Sequence, residues 1–224
     1  MKREHISKQY DEELSELREK LLEMGGKVEL MINDSIKVLI ERDSDLAGNI
    51  VAFDHEINRL EMTIDEKCLG ILARRQPTAK DLRFITLALK IVTDLERIGD
   101  QCRNIARKAR ELNSEPILTP YVDLPFMTTC AAKMVKEALD AFVSADVELA
   151  MKVCNEDNIV DDLNEKVQLK LLEVMTANSS AISGGMKINY IAKCIERIAD
   201  HATNVAEMVI FMVKGKDIRH TTTH

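Results

Sequence analysis

Glu96, Asp100 and Asn104 stand at i, i+4 and i+8 in ERIGDQCRNIAR (96–107), and Glu196, Asp200 and Asn204 repeat the spacing in ERIADHATNVAE (196–207). On a helix these positions share one ridge, so each stretch predicts a row of three oxygen-bearing side chains. Two carboxylates four residues apart repel by roughly a few tenths of a kcal/mol on an exposed helix. Keeping both in both copies points to a positive partner, either a side chain or a metal ion. Arg97 and Arg197, three residues before Asp100 and Asp200, offer the side-chain version, a salt-bridged solvated face. Asp54 and Asp157, at equivalent positions on a preceding helix, shift the balance because each can converge on the acids of its own half. Such an oxygen cage suits Mg, Mn, Fe or Ca better than a thiolate-seeking ion.

Other chemistries fit poorly. A ferritin-like di-iron bundle needs Glu-x-x-His on two helices, and neither ladder supplies it. His201 follows Asp200 directly and points about 100 degrees round the helix; with His55 and His5, which have no counterparts in the other half, it reads as a surface histidine. The Gly pairs at 25–26 and 184–185 lack the GK[ST] ending and preceding strand of a phosphate loop, so Gly25 and Gly26 read as sites of close helix packing. The terminal HTTTH is a weak metal signal. Cys68, Cys102, Cys130, Cys154 and Cys194 form no CxxC pair and read as reduced, packed thiols.

Long helices must position these ladders. From about Ser7 to Arg42 apolar residues recur at helical spacing, Leu14, Leu17, Leu21, Met24, Val28, Met31 and Ile32 among them. Ser44 or Asp45 then reads as the N-cap of a second helix that stops before Pro77. Thr78 and Asp81 make a capping-box-like start to a third, running to about residue 112. NSEPILTPYVDLP reads as the linker, and beyond it the pattern restarts. With an offset of 103, Leu21, Met31, Leu39, Asp43 and Asp54 fall on Leu124, Met134, Phe142, Asp146 and Asp157. After the loop NSSAISGG the offset becomes 100 and carries Glu96, Asp100 and Asn104 onto Glu196, Asp200 and Asn204. The chain is therefore expected to be all-α, two tandem three-helix bundles from an internal duplication. Residues 7–112 form the first bundle, 113–123 the linker, 124–214 the second, and 215–224 a frayed tail. Gly99 and Ala199 are expected to let a neighbouring helix come close.

Composition agrees with this class. The 224 residues are 46% hydrophobic but only 4% aromatic, with no Trp and four Pro, the usage of helix formers. A net charge of −7 disfavours a nucleic-acid partner. No run approaches a membrane span and the N-terminus lacks a signal-peptide core, so the reading is a soluble cytoplasmic protein that meets membranes only through partners.

The stretches QPTAKDLRFITLALKIVTDLERIGDQCRNIA and CIERIADHATNVAE resemble the two repeat signatures of the PhoU family, and the resemblance runs from about Leu14 to Lys214. It implies two tandem three-helix bundles whose paired E/D-x-x-x-D motifs hold divalent or trivalent metal ions (Fe, Zn, Mn or Mg). By position the motif pairs are Glu96 with Asp100 and Glu196 with Asp200, with Asp54, Asp157, Asn104 and Asn204 as neighbouring ligands. Asp94 faces Cys194 in the alignment of the halves, and Glu61 faces Asn164, so the two centres are not expected to be equivalent. The first, with Asp94 near it, is expected to bind more tightly. The resemblance further implies a non-enzymatic negative regulator of phosphate uptake and phosphate-starvation signalling. Its partners would be the ATPase subunit of the phosphate ABC transporter, the phosphate sensor histidine kinase and a second copy of the chain. A carboxylate-bridged metalloprotein and a purely structural helical scaffold are the alternatives.

Overall fold

The computed structural model describes residues 2–116, 118 and 123–215, with side chains from residue 8 onward. Among the described residues six long helices carry the fold: α1 Lys2–Ile40, α2 Ser44–Arg74, α3 Ala79–Leu112, α4 Leu124–Ser144, α5 Val147–Ala177 and α6 Ile182–Lys214. The tail expected to fray lies outside the described residues beyond Gly215, as do residues 117 and 119–122 of the linker and the side chain of His5.

Each helix buries one stripe. On α1, Leu14, Leu17, Leu21, Met24, Val28, Met31 and Ile32 are all at most 6% exposed, and their spacing of three or four residues keeps them on the side that meets α2 and α3. Tight connections make successive helices antiparallel, so α1–α3 and α4–α6 are each an up-down-up bundle. The bundles dock through α3 on α6 and α1 on α4. Phe84 of α3 and Phe142 of α4 stack across that junction with ring centres 5.0 Å apart. Buried residues from both halves join in one apolar cluster.

The capping expectations need correction. Asp43, not Ser44 or Asp45, caps α2, its carboxylate accepting from the backbone N–H groups of Asp45 and Leu46. Asp146 at the equivalent place caps α5 by accepting from Leu149 N at 3.0 Å. Thr78 does precede α3, yet its hydroxyl donates to the Asp81 carboxylate at 3.0 Å instead of accepting from the backbone. The expected loop NSSAISGG is mostly helical. A single 3-10 turn, Ser179–Ala181, leads straight into α6, and Gly184 and Gly185 let Leu118 and Met175 lie against the backbone of its first turns. Of the other glycine pair only Gly25 is a packing site: an added Cβ would come within 2.1 Å of Leu139 on α4, whereas Gly26 faces open space. An added Cβ at Gly99 would meet Ile57 of α2 at 3.4 Å, and Ala199 is fully buried. All five cysteines are free thiols, with Cys68, Cys102 and Cys194 buried.

Candidate metal centres

In the first bundle α2 and α3 bring their acidic ridges together. Asp54, on the buried side of α2 and only 2% exposed, meets α3 through Arg103. The guanidinium donates from Nη1 to Asp54 Oδ2 at 2.5 Å, and its Nη2 pairs with Asp100 Oδ1 at 2.6 Å. Arg97, expected beside Asp100, reaches Glu96 at 3.8 Å instead. The reason is direction: Arg103 lies one turn beyond Asp100 on the side facing α2, while Arg97 is largely exposed. Further along α2, Glu61 and Asp65 extend the row. Burial first, and then repulsion from Asp100 and Glu61, holds the Glu96 carboxyl above its ordinary range. Glu61 is raised by burial and then by Asp65, and Asp65 by burial. Buried oxygens of Asp54 (Oδ1), Asn58 (Oδ1) and Asp65 (Oδ1) have no hydrogen-bond partner.

The second bundle repeats the acids without the arginine. Thr203 stands at the place of Arg103 and leaves Asp157 of α5 facing Asp200 and Glu196 of α6 with no guanidinium between. Its hydroxyl lies close to Asp157 without completing a hydrogen bond. Asp157 is pushed up to about 6, by burial first and then by Asp161 and Asp200. Asp161 is raised by burial and then by Glu196, and Asp200 by burial, Glu196 and Asp161. The nearest cation, Lys193, pairs with Glu196 Oε1 at 2.5 Å, one turn away on the same helix. Asp157 Oδ1, Asn164 Oδ1, Glu196 Oε2 and Thr203 Oγ1 are buried without a partner.

The remaining sequence-derived residues separate from these centres. Asp94 turns away from Glu96 and Asp100 and crosses to the other bundle, where it contacts His201 Nδ1 at 2.8 Å and accepts weakly from Asn204 Nδ2 at 3.4 Å. Asp94 and Asn204 thus belong to the bundle junction, and His201 is no solvated surface histidine but half-buried in it. Two positions on α3 project more than a quarter-turn apart, which is why Asp94 cannot share a face with Asp100. Asn104 is half-buried on α3 and makes no hydrogen bond to the acids. Residues that the ladder reading omitted are Asp65, Asn58 and Asp161 on α2 and α5, and Arg103 opposite Thr203. A signal for two pairs was present: Asn58 and Asp161 sit at i+4 from Asp54 and Asp157, and Arg103 and Thr203 are one offset of 100 apart.

Among the described residues no three His, Cys, Asp or Glu side chains converge closely enough to hold a metal as they stand. The donor sets still differ in what they would accept. At the first centre Arg103 already pairs with both Asp54 and Asp100 and offsets half of their charge. At the second, Asp157, Asp161 and Asp200 are held above their ordinary range and several buried oxygens lack a partner, a donor set whose chemistry suits a hard cation.

A family model described as PhoU domain matches the chain twice, over residues 21–109 and 124–209. The chain is 44% identical over 217 residues to the phosphate-specific transport system accessory protein PhoU homolog of Pseudomonas aeruginosa, covering 96% of this chain and 90% of that protein. Against the phosphate-specific transport system accessory protein PhoU of Escherichia coli (strain K12) identity is 37% over 216 residues, covering 96% and 90%. The crystal structure of PhoU from Pseudomonas aeruginosa superposes with a TM-score of 0.89 at 43% identity, over 92% of this chain and 100% of that one. The phosphate transport system regulatory protein PhoU from Streptococcus pneumoniae superposes at 0.87 with 26% identity, over 93% and 98%.

Proposed function

The chain belongs to the PhoU family, and on that premise we propose that it is a non-enzymatic accessory regulator of phosphate uptake and phosphate-starvation signalling, a negative adaptor between the phosphate ABC transporter and its sensor kinase. The observation that carries this reading is the match across both halves to proteins named as accessory to phosphate-specific transport. The architecture suits it, since long helices with exposed outer faces are docking surfaces. The chain acts in the cytoplasm, as a homodimer, where the transporter's ATPase subunit and the kinase present themselves. None of the described helices is long and apolar enough to cross a membrane, so it reaches the membrane through these partners. A pull-down of the tagged chain against the ATPase subunit and the sensor kinase, at high and low phosphate, tests the proposal. Retention of the ATPase subunit, stronger at high phosphate, is expected; retention of neither at any phosphate level refutes the adaptor role.

The metal sites belong to the same proposal. The second centre, Asp157, Asp161, Glu196 and Asp200, is the stronger, and the first, Asp54, Glu96 and Asp100, binds a cation only if Arg103 swings aside. A bound divalent or trivalent ion would add positive charge to a centre where, among the described residues, Lys193 alone forms an ion pair with one of its acids. Elemental analysis of protein purified without chelator is expected to show Fe, Mn, Zn or Mg that falls in Asp200→Asn and much less in Asp100→Asn. Equal metal in both variants and wild type would remove these residues from the site.

A further inference from the structure

The internal duplication pairs the two ends of the molecule, and among the described residues one end is plugged and the other is not. At that end Glu115 and Leu118, which follow α3, lie against the first turns of α6. Ser183 Oγ donates to Glu115 at 3.3 Å, and Lys187 donates to the same carboxylate. The carbonyls of Leu112, Asn113 and Glu115 accept from the Arg42 guanidinium at 3.3, 2.5 and 2.8 Å. Leu118 fills the space over Gly184, where an added Cβ would come within 2.2 Å of it.

At the opposite end the offsets of 100 and 103 put Arg83, Phe84, Phe142 and Ala145 where Ser183, Gly184, Leu39 and Arg42 stand. Phe84, stacked on Phe142, provides its own apolar filling in the place of Leu118. The counterpart of Glu115, however, is Gly215, and a cavity of about 360 Å³ stays open. Arg18, Lys80 and Arg83 line it. Among the described residues none of the three is in an ion pair; Arg18 lies 4.5 Å from the centre of the Phe84 ring, and the buried Arg83 Nε has no acceptor. The one carboxylate in the lining, Asp81, accepts from Thr78. The C-terminal ends of α4 and α6 attract part of this positive charge, yet none of the three cations donates to a carbonyl there as Arg42 does at the plugged end.

Three cations against one acid, in a chain of net charge −7, invert the local charge over an apolar rim of Val143, Met212 and Val213. We infer that this cavity docks an acidic peptide segment of a partner protein, its carboxylate among Arg18, Lys80 and Arg83, as Glu115 docks at the opposite end, and an aliphatic side chain on the rim of Val143, Met212 and Val213. The last nine residues of the chain are a poor occupant by charge, with Lys216, Arg219 and two histidines against Asp217 alone. The site stands apart from the carboxylate centres and does not depend on the phosphate role.

The test is a fluorescence-anisotropy titration of the full chain with a fluorescein-labelled peptide of three glutamates followed by two leucines, beside the same peptide with glutamines. The glutamate peptide is expected to bind and the glutamine peptide not, with affinity falling as salt rises from about 50 to about 300 mM. Lys80→Glu with Arg83→Glu is expected to weaken binding at least about tenfold at an unchanged melting temperature; if that pair fails to fold, Lys80→Gln, at an exposed position, is expected to weaken it in the same direction. Because the chain has no Trp, Ser144→Trp places a lone fluorophore at the cavity, whose emission is expected to change on binding. Equal affinity for the two peptides, binding indifferent to the charge changes, or a silent reporter overturns the proposal. Displacement of the peptide by millimolar inorganic phosphate also overturns it, in favour of a bare-anion site.

Discussion

Asp157 and Arg103 show how one residue sets the character of each acidic centre. The Asp157 carboxyl rises from the ordinary 3.8 to about 6 because burial and the neighbouring Asp161 and Asp200 disfavour its charge. A folded-state value above the unfolded one means that the folded protein binds the extra proton between about pH 4 and pH 6, so stability falls as pH rises through that window. In protein stripped of metal with a chelator, Asp157→Asn, neutral at every pH, is therefore expected to melt higher than wild type at pH 7 and to lose that advantage near pH 4; thermal denaturation at the two pH values checks it. An advantage that grows on acidification would contradict this origin. At the first centre the balance is reversed, since Arg103 is the partner of a nearly inaccessible Asp54. Arg103→Met leaves that carboxylate buried and alone, and chemical denaturation is expected to show a loss of about 3 kcal/mol.

At the scale of the element, the helices are set by caps and by where small residues allow contact. Asp43 and Asp146 do the same work at equivalent helix starts, accepting backbone N–H groups that the first turn leaves free. The glycine pair on α1 gives a contrast with opposite signs. Gly26 faces open space, so Gly26→Ala is expected to stabilise by roughly 0.5–1 kcal/mol through helix propensity alone. Gly25 faces Leu139 on α4, so Gly25→Leu is expected to destabilise by roughly 1–3 kcal/mol by forcing the bundles apart. Urea denaturation of the two variants checks both signs. That GG marks packing was legible from composition, but which of the two glycines meets a neighbour depends on the rotation of α1 within the bundle, and a helix pattern leaves that rotation loose by a residue.

For the whole molecule, the decisive feature is that the two bundles share a core. Buried side chains of α3 and α6, and of α1 and α4, belong to one apolar cluster, and the Asp94–His201 contact spans the same junction. Far- and near-ultraviolet circular dichroism are therefore expected to report a single unfolding transition at one denaturant midpoint. A fragment ending at residue 116 exposes the junction face of α3 and is expected to be unfolded or to pair with a second copy, as gel filtration and circular dichroism would show; a stable monomer would mean that each half folds independently.

The sequence by itself determined the helices, the duplication and most members of each acidic row, because apolar period and residue spacing are local properties that survive without a third dimension. It also carried the asymmetry in plain view, Arg103 against Thr203 and Asp94 against Cys194. What only the tertiary structure decided is the direction in which those residues point. Spacing along one helix does not say which neighbouring helix a side chain meets. The packing of α2 on α3 turned Arg103 into the partner of Asp54, and the packing of α3 on α6 took Asp94 out of the first centre and gave it to His201. The second centre, not the first, was thereby left with acids that no guanidinium bridges across the two helices.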